Sequence, residues 1–544
     1  MELFSFGVDF FRVHDNEEGV AISKSGGYPN SHEFGTGSSD DLHHDAVPSP
    51  LMPSSCEEDD TAEKAAGIDC QTRTGPKKKQ QQQQQQQQYV LPAAFEVLRR
   101  HGSRRLKFDG KTWSTGNEQP QSAELPTEMI IQLAAEKFIQ SAPQSGRSKL
   151  SALNHPYPSS LLSHSDEDSR GVQLVQNLLS CAEKVDEKQH ERALKFLKEC
   201  EKHSSPSGTP IQRMAFYFTE ALFSKIAWET GRITPKVSEK PLDSLEPLLC
   251  PNILIAFHKE HPHSQITKFA GMQAIVDHLG DARKVHVVDF QIRSGVQWII
   301  LMQALAARTE HPIHYLKLTA VGTKGRLMLE DTGRQLAAFA ESLDLKFIFK
   351  LVMVENILDL REDHFERDAD EAVAFYAAYS LMSLIGRIDH IDHVMGVIRN
   401  INPCVMVVTE VEANCNAPTF IGRFVESLFF FGAYFDSLAE CMKDDEPNRR
   451  FAESTMFRSS INNILAAEGK ERKVRHVNIN VWRAFFVRFG LVEVELSLSA
   501  LDQVTVVLQG FSSRSSCTVQ LDGKSLIMGW KGTPLTSLSV WKFK

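Results

Sequence analysis

No two of the nine cysteines stand in a CxxC pair and no CxxC…HxxxH spacing occurs, so the close ligand pairs of a structural zinc site are missing. The cysteines lie scattered at 56, 70, 181, 200, 250, 404, 415, 441 and 517. An odd, dispersed set of this kind suggests reduced thiols in the cytosol or nucleus. No apolar run reaches the ~18–20 residues of a membrane span, and the longest candidate, AVAFYAAYSLMSLIG (372–386), reads as buried core. The opening MELFSFGVDFFRVHDNEEG has acids and no basic stretch, which does not fit a secretory signal. A soluble, intracellular protein is the expectation. An excess of basic residues is also missing: 60 Lys and Arg stand against 69 Asp and Glu, a net charge of −9. That balance opposes broad adhesion to phosphate backbones while leaving room for a local basic patch. There is no GxSxG elbow, no HExxH and no repeat of solenoid period.

What is present divides near residue 165. Residues 1–165 carry SGGYPNSHEFGTGSSDD, the acidic SSCEEDDTAEK and a glutamine run at 80–88. With few periodic apolar residues, this arm has little to offset the entropy of ordering, and a largely disordered regulatory arm is expected. Two pieces with helical spacing, 89–102 and 127–142, are expected to fold on a partner or dock on the main domain. From Gly171 the pattern changes. Val172, Val175, Leu178, Leu179, Ala182 and Val185 recur at helical spacing, and two further helices follow, the third starting at 211. Together they suggest a helical cap, with an apolar face able either to pack internally or to pair with another cap.

After the cap, apolar strands alternate with amphipathic helices. KVHVVDF (284–290), IHYLKLTAV (313–321), LKFIFKLVMV (345–354) and CVMVVTEVEA (404–413) read as strands, while EAVAFYAAYSL (371–381) fits strand or helix. This alternation predicts an α/β fold, a Rossmann-like doubly wound and mostly parallel sheet. Long helices are expected around 418–443 and 446–468, and Asp522-Gly523 between two apolar runs predicts a hairpin.

The stretch VHVVDFQIRSGVQW (285–298) looks like the entry to a nucleotide site, yet it lacks the glycines by which a backbone approaches a cofactor. Phe290, Ile292 and Arg293 occupy the turn, and Glu355, one strand late, is a weak substitute for a ribose-binding acid. No cofactor is expected. Asp289 then reads as an acid closing a strand-to-helix turn, and His286 as a hydrogen-bonded core histidine. HKEHPH (258–263) reads as a solvated loop or helix start, and Glu410 and Glu412 receive no catalytic task. LEPLL (245–249) reads as core. Lys77, Lys78 and Lys79, with Arg99, Arg100, Arg104 and Arg105, are candidates for nuclear import or DNA contact. GKERKVRHVNINVWR (469–483) reads as a basic surface face beside Trp482.

From about 170 to 544 these segments fall in one order, which resembles the plant GRAS family of transcriptional regulators. A leucine-rich region (172–230) precedes Val285, His286, Val287, Val288 and Asp289, similar to the VHIID core of a region at 254–320. A second leucine-rich region (326–365) and a PFYRE-like region (371–470) follow, the latter with Phe435, Asp436 and Arg458. A SAW-like region (471–544) ends the order with Trp482, Trp530, Ser539, Val540 and Trp541. The family's Arg-Glu pair stands here as Arg458-Ser459, and the first 165 residues hold no DELLA-type motif. The resemblance implies a nuclear regulator with a core similar to methyltransferases and no enzymatic activity. It implies partnership with other GRAS proteins or transcription factors as a homo- or heterodimer, and contact with DNA directly or through a partner. The alternative is an enzyme or small-molecule sensor using the Rossmann crevice.

Overall fold

Residues 125–141, 165–232 and 251–544 are described by the computed structural model. Helices α1 (Thr127–Ser141), α2 (Asp166–Asp186), α3 (His190–His203) and α4 (Pro210–Glu229) come first. Their starts follow local chemistry. The Ser165 side chain accepts from the N–H of Asp168 while the Asp168 carboxylate accepts from that of Ser165, and Thr209 and Gln212 do the same at α4, where Pro210 takes the first helical position. Helices α5 (Pro251–Glu260) and α6 (Pro262–His278) lead into the sheet.

The sheet is built by β1 (Lys284–Phe290), α7 (Val296–Ala306), β2 (Tyr315–Gly322), α8 (Arg326–Ser342), β3 (Phe347–Met353), β4 (Ala372–Ala378), α9 (Ile388–Ile401) and β5 (Val405–Val411). These five strands run parallel. The ambiguous 371–381 segment is a strand, β4, because it lies between β1 and β5 and is apolar on both faces. Helices α10 (Phe420–Cys441), α11 (Glu446–Ala452), α12 (Arg458–Leu465) and α13 (Ile479–Arg488) precede β6 (Leu491–Val494), α14 (Leu498–Gln509), β7 (Cys517–Asp522), β8 (Ser525–Trp530) and β9 (Thr533–Phe543). The order is β3-β2-β1-β4-β5-β9-β8-β7, with β6 also pairing β9, and β9 joins β5 antiparallel. The Asp522-Gly523 hairpin forms as expected, with Gly523 at φ +59 where a side chain would be strained.

Alternate residues of β1 feed two cores. Val285 and Val287 face the side covered by α6, α7, α8 and the cap, whereas Val288 and Phe290 face α9 and α13. The cap is larger than its leucine-rich helices. Helices α10 and α12 pack on α4, and α1 packs on α2 and α10. At the α1–α10 contact a Cβ on Gly432 would stand 2.3 Å from Ile131 Cδ1, so only glycine allows the approach. The 127–142 piece of the arm thus docks on the main domain, while 89–102, LEPLL, the glutamine run and the basic candidates Lys77, Lys78, Lys79, Arg99, Arg100, Arg104 and Arg105 lie outside the described residues.

Of the two uses open to the α2 stripe, internal packing is the one it has in this chain. Val172, Val175, Leu178, Leu179, Ala182 and Val185 are at most 1% exposed. Their stripe is covered by α1, α3 and α4 of the same chain, so it is internal core and not a surface for a second cap. Each such side chain contributes about 1.5–3 kcal/mol by leaving water, which explains why the chain covers the stripe itself.

Candidate functional site

Between the C-terminal ends of the parallel strands and the cap lies a crevice of about 1360 Å³. It opens where strand order reverses, β2 and β3 lying to one side of β1 and β4 and β5 to the other, the usual place for a ligand in such sheets. The turn from β1 to α7 forms part of its floor. Gln291 sits at φ +68 and donates its N–H to the Val321 carbonyl at 3.1 Å. Phe290 stacks on Phe375 and Ile292 is fully buried, so both side chains pack into the cores beneath the crevice, and the turn has no run of glycines. The one glycine, Gly295 at φ +71, serves helix packing, since a Cβ there would meet Thr332 and Leu336 at 3.0 and 3.2 Å.

Asp289 is buried, and its Oδ2 accepts from Trp298 Nε1 at 2.9 Å and Gln297 Nε2 at 3.1 Å. It ties the strand end to the first turn of α7, as read from the sequence. Burial drives its pKa up to about 7 against the pull of those two donors. The sign of the pH effect follows: its contribution to stability is complete below about pH 4, where the acid is neutral in both states, and is lost as pH rises through 7. Asp289→Asn is expected to remove that loss. Relative to wild type, the variant should gain about 1–2 kcal/mol between pH 5 and pH 8 in urea unfolding. An unchanged difference across that range would reject the assignment.

His286 is a core residue. Its ring nitrogens meet Thr319 Oγ1 at 2.8 Å and Glu371 Oε2 at 3.1 Å, and burial lowers its pKa to about 4. The two unassigned acids hold backbone. Glu410 Oε1 accepts from the N–H groups of Leu381 and Met382, and burial raises its pKa to about 8. Glu412 Oε2 accepts from Ile479 N–H at the start of α13. The reading of HKEHPH as solvated is overturned. His258, His261 and His263 are at most 4% exposed, with His261 meeting Ser437 Oγ at 3.1 Å and His263 the Gly529 carbonyl at 3.0 Å. In the basic stretch 469–483, Lys473 is exposed as expected. Its other half is only partly a surface face: Asn480 and Val481 are exposed, but His476 and Trp482 are buried and His476 lines the crevice.

Two groups of motif residues meet in space. Asp436 on α10 accepts from Trp530 Nε1 at 2.7 Å, from Lys531 Nζ at 2.6 Å and from Thr127 Oγ1 at 2.8 Å, joining α1, α10 and the β8–β9 turn. Beside it Phe435 is fully buried against Tyr217. On the opposite face Phe486 lies between Trp482 and Trp541, with ring centroids 5.6 and 4.8 Å away. Trp541 donates to Ser539 Oγ at 2.9 Å, and Val540 pairs with Val407 across the β5–β9 junction. Arg458 stands apart from both groups, at the edge of the crevice. The acid missing beside it in sequence is supplied by Glu220 of α4, which takes two hydrogen bonds from the guanidinium at 2.9 and 3.1 Å. Among the described residues no cluster of three or more His, Cys, Asp or Glu is placed to hold a metal, and no helix is long and apolar enough to cross a membrane.

A doubly wound α/β domain under a helical cap, with no glycine-rich loop at its β1–α7 turn, defines the class. The chain belongs to the GRAS domain family, whose model matches residues 174–542. It is 30% identical over 381 residues to DELLA protein GAI1 of Vitis vinifera, covering 69% of this chain and 63% of that one. It is 31% identical to DELLA protein RGL1 of Arabidopsis thaliana, covering 69% and 71%. The chain thus spans less than two thirds of the grape relative's length. The crystal structure of SCL7 from Oryza sativa superposes with a TM-score of 0.60 at 28% identity, covering 68% of this chain and 99% of that one.

Proposed function

We propose that this protein is a nuclear transcriptional regulator in plant development or signalling, acting through protein partners and not through catalysis. The observation that supports this reading best is the β1–α7 turn. Its acid is held by Trp298 and Gln297, and in place of a glycine-rich loop it carries Phe290 and Ile292, packed into the two cores. A frame kept without a glycine-rich cofactor turn suits a scaffold that presents surfaces. Membership of the GRAS family supports the regulatory role. Partners in this reading are other GRAS proteins or transcription factors, met as homo- or heterodimers, with DNA reached directly or through them. Because the α2 stripe is covered within this chain, the reading assigns dimerisation to another surface.

Two measurements on the full chain test this. Selection from a random duplex DNA library at near-physiological salt is expected to enrich no sequence, and the same chain tethered to a promoter should still change reporter output. One enriched sequence, bound with an affinity falling steeply as salt rises, would make the protein a direct DNA reader. Loss of the tethered effect on replacing the arm alone would place the regulatory surface in residues 1–165. A silent tethered reporter would remove the regulatory reading.

A further inference from the structure

The crevice is larger than the ~300–1,000 Å³ of most small-molecule sites, and two cations on its walls have no carboxylate in ion-pair contact. Arg293 is half-buried. It donates Nη2 to the Tyr379 carbonyl at 3.0 Å, lies over the Tyr379 ring with its guanidinium carbon 5.8 Å from the centroid, and leaves Nε without a partner. Lys268, also half-buried, reaches only Ser264 one turn back on α6, the hydroxyl at 2.6 Å and the carbonyl at 3.2 Å. Among the described residues no carboxylate forms an ion pair with either. Asp289 is held by the Trp298 and Gln297 side chains, and Glu410 Oε1 by two backbone N–H groups while its Oε2 has no partner. Both acids favour the Arg293 charge from beyond ion-pair contact, and a buried cation without a paired carboxylate is costly. Burial lowers the pKa of both, and the Arg293 charge further lowers that of Lys268, to about 7.

A second, independent observation lies on the same walls. Ser380 Oγ, His263 Nδ1 and His476 Nδ1 belong to side chains at most 4% exposed, line the crevice and have no hydrogen-bond partner. Buried polar atoms are nearly always paired, so a group that fits between them has ready partners. The cap side of the wall carries Phe430, Tyr434 and Phe457, packed at centroid distances of 5.0 and 5.1 Å, with His476 5.8 Å from Phe430, and further charged side chains such as Lys324 and Glu355 line the remainder. Cations, unpaired polar atoms and aromatic rings in one crevice select for charge and for an apolar body at once.

We propose that the crevice binds a small organic anion with an apolar body, its acidic group seated at Arg293 and Lys268 and its body against Phe430, Tyr434 and Phe457. This site is independent of the regulatory reading: the reporter tests one and ligand binding the other. Among known ligand chemistries a carboxylate or sulfonate matches the guanidinium and ammonium donors. A ligand here would touch the sheet through Arg293 and the cap through α10, and so would bridge the two layers.

The probe is 8-anilinonaphthalene-1-sulfonate, titrated into the full chain by fluorescence. One saturable site is expected, with decanoate displacing the probe at least about tenfold better than decan-1-ol, since only the former carries the charge. Lys268→Met should weaken probe binding about tenfold without moving the melting temperature, because its bonds lie within one helical turn. Arg293→Met should weaken it similarly, while Arg334→Met, an exposed site on α8, should leave it unchanged. Equal displacement by decanoate and decan-1-ol, or affinity unchanged in Lys268→Met and Arg293→Met, would overturn the proposal. Displacement of the probe by short duplex DNA would also overturn it, reassigning the two cations to phosphate contact.

Discussion

Asp436→Ala is expected to lower unfolding stability by about 3 kcal/mol. The carboxylate takes hydrogen bonds from the Trp530 indole, the Lys531 ammonium and the Thr127 hydroxyl. Removing it leaves the Trp530 N–H buried and unpaired, since that residue is 1% exposed, and an orphaned buried donor costs about 1–3 kcal/mol. The Lys531 side chain is 30% exposed and recovers water, so its share is discounted. The remainder comes from α1, which Asp436 holds at its first turn. Asp436→Asn keeps an acceptor for Trp530 and is expected to lose only about 1 kcal/mol. Urea unfolding followed by tryptophan fluorescence measures both, and an alanine variant within 0.5 kcal/mol of wild type would contradict this account.

The second large effect concerns Arg213 and Glu453, an ion pair with side chains 4% and 0% exposed. Arg213 Nε reaches both Glu453 oxygens at 3.1 Å, Nη1 the Gly208 carbonyl at 2.8 Å and Nη2 that of Phe435 at 3.3 Å. Burial, the larger cause for each, lowers the arginine's pKa and raises the glutamate's even though each favours the other's charge. The fold therefore works against both charges, and the pair offsets that only together. Glu453→Leu strands a buried guanidinium and should cost about 3–5 kcal/mol. Arg213→Met with Glu453→Leu removes both charges and should return to within about 1 kcal/mol of wild type, measured as a double-mutant cycle. If the double variant is no more stable than Glu453→Leu, the loss is one of packing.

Much of this fold is readable in sequence because its signals are local. Strands β1, β2 and β5 are buried on both faces, so apolar residues fill most of their positions and do not alternate with polar ones as in a one-sided strand. The Asp522-Gly523 turn declares itself by the residue that tolerates φ +59. Helix α2 shows its stripe at 3.6-residue spacing, but the same stripe would suit a partner helix, and only the positions of α1, α3 and α4 decide what covers it. HKEHPH misleads for a related reason. Its polar letters suggest solvent, but His261 and His263 find their partners 176 and 266 residues away. The candidate site is legible in half. Asp289 closes the β1–α7 turn as its place between strand and helix suggests. The crevice itself is not legible, since its walls come from α6, from the strand ends, from α10 and from the 469–483 stretch, and no local pattern joins them.

The place of β9 in the sheet sets an order of assembly. Residues 533–543 form one of its innermost strands, flanked by β5 and β8, with β6 also drawing its hydrogen bonds from there. During synthesis the parallel half can form once residue 411 has emerged, but β5, with the sequence Val-Met-Val-Val-Thr-Glu-Val, then waits more than a hundred residues for its neighbour. For that interval it is an open, apolar edge of the kind that recruits other chains. A ribosome stalled before residue 533 therefore releases an aggregation template and not a shortened regulator.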